Sequence, residues 1–383
     1  MPVEGRHRPS WAEVSRGAIV ANARALKSVI GETSLCAVVK ADGYGHGAPL
    51  VASAAVEGGA DSLAVVAVDE GLELRDAGVE VPILVLAEVP PSALPLALSN
   101  SLTLTVGSSA GALAAMACAE ALGGRHRVHV KVDTGMHRGG VAPEELDAVL
   151  EVLSSHGAID VEGLFTHLSV ADGSSEDDRA YTRGQIRRFN ELVSTMRDRG
   201  VAPRVLHCAN SAGTLGYPEA HFSMVRVGLA LYGYLPDPWC AVALSSRGLH
   251  LEPAMTIRSR VSALRRLSAG ERPSYGRRRA LEREATVATV PLGYADGYPR
   301  RLFDGGAEVL IGGRRYPLAG NVTMDQLVID VGQDDVAIGD EVVVLGRQGD
   351  EAITADEWAE RDGTISWEIL TRIGPRLPRV TVD

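Results

Sequence analysis

Eight short apolar runs recur through the first 231 residues, and their spacing constrains the fold more than any other feature. They cover residues 34–40, 62–68, 82–88, 102–106, 127–133, 161–168, 204–210 and 224–231. Helix-like segments, such as residues 70–77 and 143–154, lie between most of them. Short apolar runs bounded by turn-forming residues are the pattern of strands buried on both faces. Strands alternating with helices imply a parallel sheet with right-handed crossovers. Eight such units over roughly 230 residues match a (β/α)8 TIM-like barrel, for which ~250 is typical. A doubly wound open sheet is the alternative, but no GxGxxG motif follows the first run.

The pattern changes after about residue 245. Later runs, at 286–291, 307–311, 326–331 and 341–345, are rich in Val, Ile and Thr, have short Gly turns and few helix signals between them. They predict a mostly antiparallel β domain. A chain of 383 residues is long for one domain. The expected division is a barrel over 1–245 and a β domain over 246–383. The first ten or so residues are expected to pack on the β domain.

Composition narrows the function classes. A formal net charge of −11 argues against a nucleic-acid footprint or an anionic membrane partner. The four cysteines are widely spaced without a CxxC pair, and Cys36 and Cys208 lie inside apolar runs, as reduced buried thiols do. The first ten residues are polar with no apolar signal core, and no stretch is long and apolar enough to span a bilayer. A soluble cytoplasmic protein is expected.

In a barrel enzyme the chemistry belongs at the carboxyl ends of the strands. Those ends carry Lys40 and Tyr44 (first run), Lys131, Asp133 and Arg138 (fifth), His167 (sixth), Asn210 and Ser211 (seventh), and Arg226 and Gly228 (eighth). Each has an ordinary alternative: Lys40 a salt-bridged strand end, His167 a core histidine, Arg226 a structural ion pair. Five polar ends meeting at one barrel mouth are harder to explain as structure, because every buried charge adds a desolvation cost.

A partly desolvated lysine loses its proton more readily and can form a Schiff base. Barrels commonly build a phosphate site from the loops after the seventh and eighth strands. Here those loops offer Ser211 and the amides near Gly228 and Leu229. A lysine imine beside a phosphate cradle points to pyridoxal 5′-phosphate (PLP). Arg226 facing the pyridine nitrogen donates a hydrogen bond without protonating the ring. That weakens the electron sink and favours racemisation over transamination. Racemisation needs a proton-transfer group on each face of the substrate carbon. Lys40 serves one; Tyr275, in Ser274-Tyr-Gly276, is the candidate for the other, although alone it is an ordinary tyrosine beside a glycine.

These residues resemble the motifs of alanine racemases. The match includes Val38-Val-Lys-Ala-Asp-Gly-Tyr-Gly-His-Gly47, Lys131-Val-Asp-Thr-Gly-Met-His-Arg138, Phe165-Thr-His167, His207-Cys-Ala-Asn-Ser211 and Val225-Arg-Val-Gly228. In the β domain it includes Ser274-Tyr-Gly276, Gly293-Tyr-Ala-Asp-Gly-Tyr-Pro-Arg300 and Met324-Asp-Gln326. The resemblance spans nearly the whole chain in order. It implies that Lys40 carries PLP and acts on the D-enantiomer, while Tyr275 acts on the L-enantiomer from the other subunit of a head-to-tail homodimer. It implies that Tyr44, Asn210, Ser211, Gly228 and Leu229 belong to the cofactor site, most of them at the phosphate. His167 is placed by the ring and Arg226 at its nitrogen. Arg138 and the Met324 backbone are implied to bind the substrate carboxylate, with Lys131 and Asp325 in support. Tyr294 narrows the entrance to suit a methyl side chain. The lysine matching Lys131 is often carbamylated in the family. The implied activity is interconversion of L- and D-alanine for cell-wall precursors.

Two departures stand out. Ser366-Trp-Glu368 replaces the usual Asn-Tyr-Glu, so Trp367 offers an indole N–H and more bulk where a tyrosine hydroxyl binds phosphate. His137 precedes Arg138 where a smaller residue is common. The rivals are a racemase of broader specificity or for serine, a non-catalytic PLP-binding protein, and an amino-acid decarboxylase. The β domain with Tyr275 opposes the second, and Arg226 opposes the third.

Overall fold

The computed structural model describes residues 8–198 and 202–383, which divide into two compact units. Of the described residues, one unit comprises 18–43, 48–198 and 202–252; the other takes in 8–17, 44–47 and 253–383.

The first unit is the eight-stranded barrel-like parallel sheet. After β1 (Trp11–Ser15), which belongs to the other unit, come β2 (Ser34–Val38), β3 (Ser62–Val65), β4 (Ile83–Val85) and β5 (Leu102–Val106). They are followed by β6 (His126–Lys131), β7 (Ile159–Phe165), β8 (Val205–His207) and β9 (Met224–Val227). Hydrogen bonding runs β8-β7-β6-β5-β4-β3-β2-β9. The ring closes where Ser223 N donates to Leu206 O (3.1 Å) and Arg226 N to Ala209 O (3.0 Å). The strands are apolar on both faces, as a helix-covered parallel sheet requires: all five residues of β5 are buried.

Each of the eight expected runs overlaps one of these strands, with β6 starting one residue and β7 two residues before its run, yet most ladders stop two to four residues before the run ends. The chain leaves the ladder there because the polar residues at the barrel mouth carry their own hydrogen bonds. The clearest case follows β2. Ala41, Asp42, Gly43 and Tyr44 all have left-handed backbones, with φ between 52° and 60°. For an L-residue this costs ~1–2 kcal/mol each. Three bonds hold the turn: Gly43 N to Val39 O (2.9 Å), Ala41 N to Glu70 Oε1 (2.7 Å) and Ala48 N to Asp42 Oδ1 (2.9 Å).

The second unit is mostly antiparallel. Its strands after β1 are β10 (Met255–Arg260), β11 (Ala263–Leu267), β12 (Ala285–Val290), β13 (Glu308–Ile311) and β14 (Arg314–Pro317). β15 (Leu327–Gly332), β16 (Glu341–Gln348), β17 (Glu351–Ile353) and β18 (Arg379–Val382) complete it. One sheet runs β14-β13-β16-β10-β1-β18 and a second runs β11-β12-β15. The β1–β18 pair is parallel. Helices Ala355–Asp362 and Ser366–Thr371 also belong here, where few helix signals were expected. Thr354 caps the first, accepting from Glu357 N.

The first seven residues, part of the segment expected to pack on the β domain, lie outside the described residues. The next three are bonded within this unit. Arg8 grips the Asp296 carboxylate with both nitrogens (2.5 and 2.6 Å), and Ser10 Oγ bonds Ser259 Oγ (2.8 Å). Among the described residues no helix is long and apolar enough to cross a membrane.

Candidate active site

In the barrel unit the expected residues gather past the strand ends. Lys40 is half-buried directly after β2. Burial and the Arg138 charge hold its ammonium below the ordinary lysine range, against the opposing pull of Glu70. Lys131 ends β6 and is shifted the same way by burial, then Arg138 and Arg226. Asp133 turns the chain behind it: its Oδ1 accepts from Gly135 N (2.9 Å), Met136 N (2.9 Å) and His137 N (3.1 Å). Burial resists ionisation of Asp133, but these donors and His137 keep its carboxyl below the usual range. His137, at φ 55°, sits 3.3 Å from the Asp133 carboxylate and so helps hold the loop that carries Arg138.

His167 reports the field of the site. Burial comes first in pushing its pKa to about 3, followed by Arg226, Arg138, Lys131 and Lys40. The charges of four basic side chains therefore all act on one neutral ring. Its Nδ1 accepts from Arg226 Nη2 at 3.2 Å. Arg226 is only 3% exposed, and among the described residues its guanidinium bonds no carboxylate. It donates to His207 Nδ1 (2.7 Å), Thr166 O (3.0 Å) and Cys208 O (3.3 Å), and lies over the Phe165 ring at 5.2 Å. Buried charge of this kind is normally paired. Among the described residues Arg226 makes no structural ion pair, so its charge is left uncompensated by a carboxylate.

The loops after β8 and β9 meet at Ser211. Its Oγ accepts from Gly228 N (3.1 Å) and Ala230 N (3.3 Å), which brings Ser211, Gly228 and the buried Leu229 into one cluster of amides and hydroxyl. Asn210 is committed locally, its Oδ1 capping Ser211–Gly216 through Gly213 N (2.9 Å).

The remaining expected residues belong to the other unit. Tyr44 is buried, which raises its phenol to about 12. Tyr275 is 74% exposed on a turn whose neighbours Ser274, Gly276 and Arg277 all have positive φ. Asn321 holds that turn: its Nδ2 donates to Tyr275 O (2.7 Å) and its carbonyl accepts from Ser274 Oγ (2.6 Å). Tyr294 and Met324, both exposed, lie on adjoining loops joined by Tyr294 N to Thr323 O (3.0 Å) and Ala295 N to Met324 O (3.1 Å). A Cβ at Gly293 would strike Thr323 O at 2.3 Å, so only glycine allows this approach. Asp325 receives Arg376 on its carboxylate (2.6 Å) and Arg8 on its carbonyl (3.3 Å). Trp367 is half-buried in Ser366–Thr371, its carbonyl accepting from Thr371 Oγ1 (2.8 Å).

Four contributors escaped the residue-type reading. Glu70 acts on the Lys40 turn from the next unit of the barrel; its position in the first turn of helix Val68–Asp76 was the available signal. His207 lies within a quoted motif, but nothing in its spacing reveals its bond to Arg226. His129 alternates with Lys131 along β6, and Asn321 just precedes Met324.

The whole chain has relatives. The alanine racemase N-terminal domain family matches residues 14–236, and the C-terminal domain family matches residues 254–381. An alanine racemase of Symbiobacterium thermophilum is 46% identical over 373 residues, 97% of each chain. The alanine racemase of D-cycloserine-producing Streptomyces lavendulae superposes with a TM-score of 0.91 at 36% identity, covering 99% of this chain and 98% of that one. That of Bacillus anthracis with bound L-Ala-P gives 0.91 at 38% identity, covering 99% and 96%. A histidine racemase of Leuconostoc mesenteroides shares the fold at 30% identity and TM-score 0.87, covering 99% of each chain. Matches to both domain families, in order and over nearly the full length, place this chain in the alanine racemase family of enzymes.

Proposed function

We propose that the chain interconverts L- and D-alanine with PLP as cofactor, Lys40 and Tyr275 moving the proton on opposite faces of the α-carbon. The observation that carries this is the buried Arg226 guanidinium, which bonds His167 Nδ1 and, among the described residues, no carboxylate, beside a histidine on which the charges of Lys40, Lys131 and Arg138 also act. That charge balance fits a cofactor phosphate and a substrate carboxylate, and Arg226 as a pure donor fits a pyridine nitrogen. Ser211 with the amides of Gly228 and Leu229, together with Tyr44, Asn210 and Trp367, would hold the phosphate end. His167 would stand by the ring and Lys40 at the point of attachment. Bound there, PLP supplies the electron-withdrawing ring that makes the α C–H of an amino acid acidic.

The chain supplies the rest. Lys40, depressed by burial and Arg138, holds a free amine over more of the working pH range than an ordinary lysine and so can take and return the α-proton. Tyr275, exposed on its own unit, is supplied to the site of a second copy, which makes the working form a homodimer with shared sites. Arg138, supported by Lys131, and the Met324 amide bind the substrate carboxylate; Asp325 anchors the Met324 loop through Arg376. Arg226 keeps its proton, so it would donate a hydrogen bond to the pyridine nitrogen without protonating it, which would leave the bound ring a weak electron sink. Tyr294 limits side-chain size. The product suits peptidoglycan precursor supply in the bacterial cytoplasm. The histidine racemase likeness keeps broader specificity as a second reading.

Alanine of either hand in deuterated water, given to PLP-loaded protein, tests this. Exchange of the α-proton with inversion, lost in Lys40→Ala, is expected; inversion that survives Lys40→Ala refutes it. Turnover across a panel including serine and histidine decides the second reading.

A further inference from the structure

A chain of hydrogen bonds leads from Arg226 away through two buried histidines to a carboxylate. Arg226 Nη1 meets His207 Nδ1 at 2.7 Å, His207 Nε2 meets His129 Nδ1 at 2.8 Å, and His129 Nε2 meets Glu162 Oε2 at 3.4 Å. A guanidinium can only donate, so His207 Nδ1 accepts. A neutral imidazole then carries its hydrogen on Nε2 and donates it to His129 Nδ1. The same logic puts the His129 hydrogen on Nε2, aimed at an acceptor that cannot donate. Each bond fixes the direction of the next. Both rings are buried, and burial is the first cause holding each below the usual histidine range.

The backbone is shaped to admit this chain. Across the β6–β7 ladder His129 pairs with Gly163, while Val128 pairs with Val161, so the register skips Glu162. Such an irregularity re-aims a side chain, and here it accompanies the meeting of Glu162 with His129. A Cβ at Gly163 would lie 2.6 Å from His129 Cγ, and Gly163 has no left-handed backbone to explain it otherwise. Its missing side chain is the room for the ring. Phe165 stacks on His207 at 4.6 Å and 7°, fixing that ring's plane.

We propose that His207, His129 and Glu162 are positioning residues, a one-way relay that aims the Arg226 guanidinium and passes the Glu162 charge back to it. A carboxylate at the far end makes each histidine nitrogen a better acceptor, so all three bonds tighten together. What Arg226 faces rests on the proposed function; the relay's polarity does not.

The test uses 15N-histidine NMR of the full chain without cofactor at pH 7. Both His207 and His129 are expected as neutral Nε2–H tautomers, and Glu162→Gln is expected to shift the His207 Nδ1 resonance across the intervening ring. An Nδ1–H tautomer or imidazolium at either residue, or a His207 resonance deaf to Glu162→Gln, overturns the relay. In the loaded enzyme, Glu162→Gln, which keeps an acceptor oxygen but removes the charge, should lower kcat and weaken cofactor binding by absorbance titration about tenfold each, with KM for alanine within about twofold. Unchanged kcat and cofactor affinity overturn the positioning role. Gly163→Ala, crowding the His129 ring with every polar group retained, should reproduce the kcat loss. A wild-type chain that fails to racemise would defeat the proposed function, while the cofactor-free tautomers would still decide the relay.

Discussion

Glu70 Oε1 accepts the amide of Ala41, the residue after Lys40, at 2.7 Å, while its Oε2 takes the amides of Val66 (2.8 Å) and Ala67 (3.1 Å). One carboxylate thus ties the left-handed turn after β2 to the start of helix Val68–Asp76, and it is the group that opposes the loss of basicity at Lys40. Glu70→Ala should cost about 1–3 kcal/mol by urea unfolding, since bonds to a charged acceptor are lost. Removing Glu70 also removes the contribution that raises the Lys40 pKa, so the Lys40 limb of the pH–rate profile should move to lower pH. An unmoved limb would mean that Glu70 serves the turn alone.

The neutral histidines make an acid-stability prediction with a definite sign. Burial leads in pushing the pKa of His167 down to about 3, from the ordinary histidine value of about 6.5, and in lowering His129 and His207 as well. Between those values the unfolded chain binds protons that the folded chain does not, so stability rises with pH across this window. The urea midpoint should fall as pH drops from about 6.5 toward 3 and change little from these groups above about 7. His167→Asn, which keeps a polar side chain but cannot titrate, should flatten part of the slope. A slope unchanged by that substitution would show that carboxylates alone set it.

Shared sites can be tested by mixing. Lys40→Ala and Tyr275→Phe should each abolish most racemisation, the first by removing the amine and the second the hydroxyl. If Tyr275 serves the neighbouring copy, a mixed dimer restores one intact site. Random reassortment of equal amounts should recover about a quarter of wild-type activity. Recovery of none, with mixed dimers verified by mass spectrometry, would place both residues in the site of a single chain.

The barrel was legible because its strands are buried on both faces, which leaves eight apolar runs that nothing else explains. β1 and β18 were not, because Trp11–Ser15 gains its sheet position from partners more than two hundred residues away: Ala12 pairs with Ile257 and with Arg379. Residue type at the strand ends singled out Lys40, Arg226 and Ser211 as candidates. It could not show that Arg226 bonds two imidazoles and, among the described residues, no carboxylate, or that Asn210 is spent on a helix cap, because those outcomes depend on side-chain direction across the barrel. Glu70 and Glu162 were invisible for the same reason; each is an ordinary acidic residue until its partner arrives from another strand or turn.

Trp367 stands where the family pattern has a tyrosine, and its side chain can donate but not accept. Trp367→Tyr should tighten PLP binding by about threefold to tenfold, the effect of one added hydrogen bond. It should also shift the ratio of kcat/KM between alanine and larger amino acids. Titrating the cofactor-free protein by absorbance measures the first, and a substrate panel the second. If neither moves, the indole already meets the need of the site.

The turn after Lys40 offers a paired stability test. Ala41 is held at φ 54° and ψ 52°, where an alanine is strained and a glycine is not. Ala41→Gly should therefore stabilise the fold by about 0.5–1 kcal/mol after the greater unfolded-state freedom of glycine is subtracted. Gly43, two residues on at φ 60°, predicts the reverse: its new Cβ would also lie 2.9 Å from Val51 Cγ2 and 3.3 Å from Ala48 Cα. Gly43→Ala should cost more than about 1 kcal/mol, strain and crowding adding together. Urea midpoints of the two variants should move in opposite directions. Both moving down would show that the left-handed turn is held by bonds that any change disturbs, rather than stressed at Ala41.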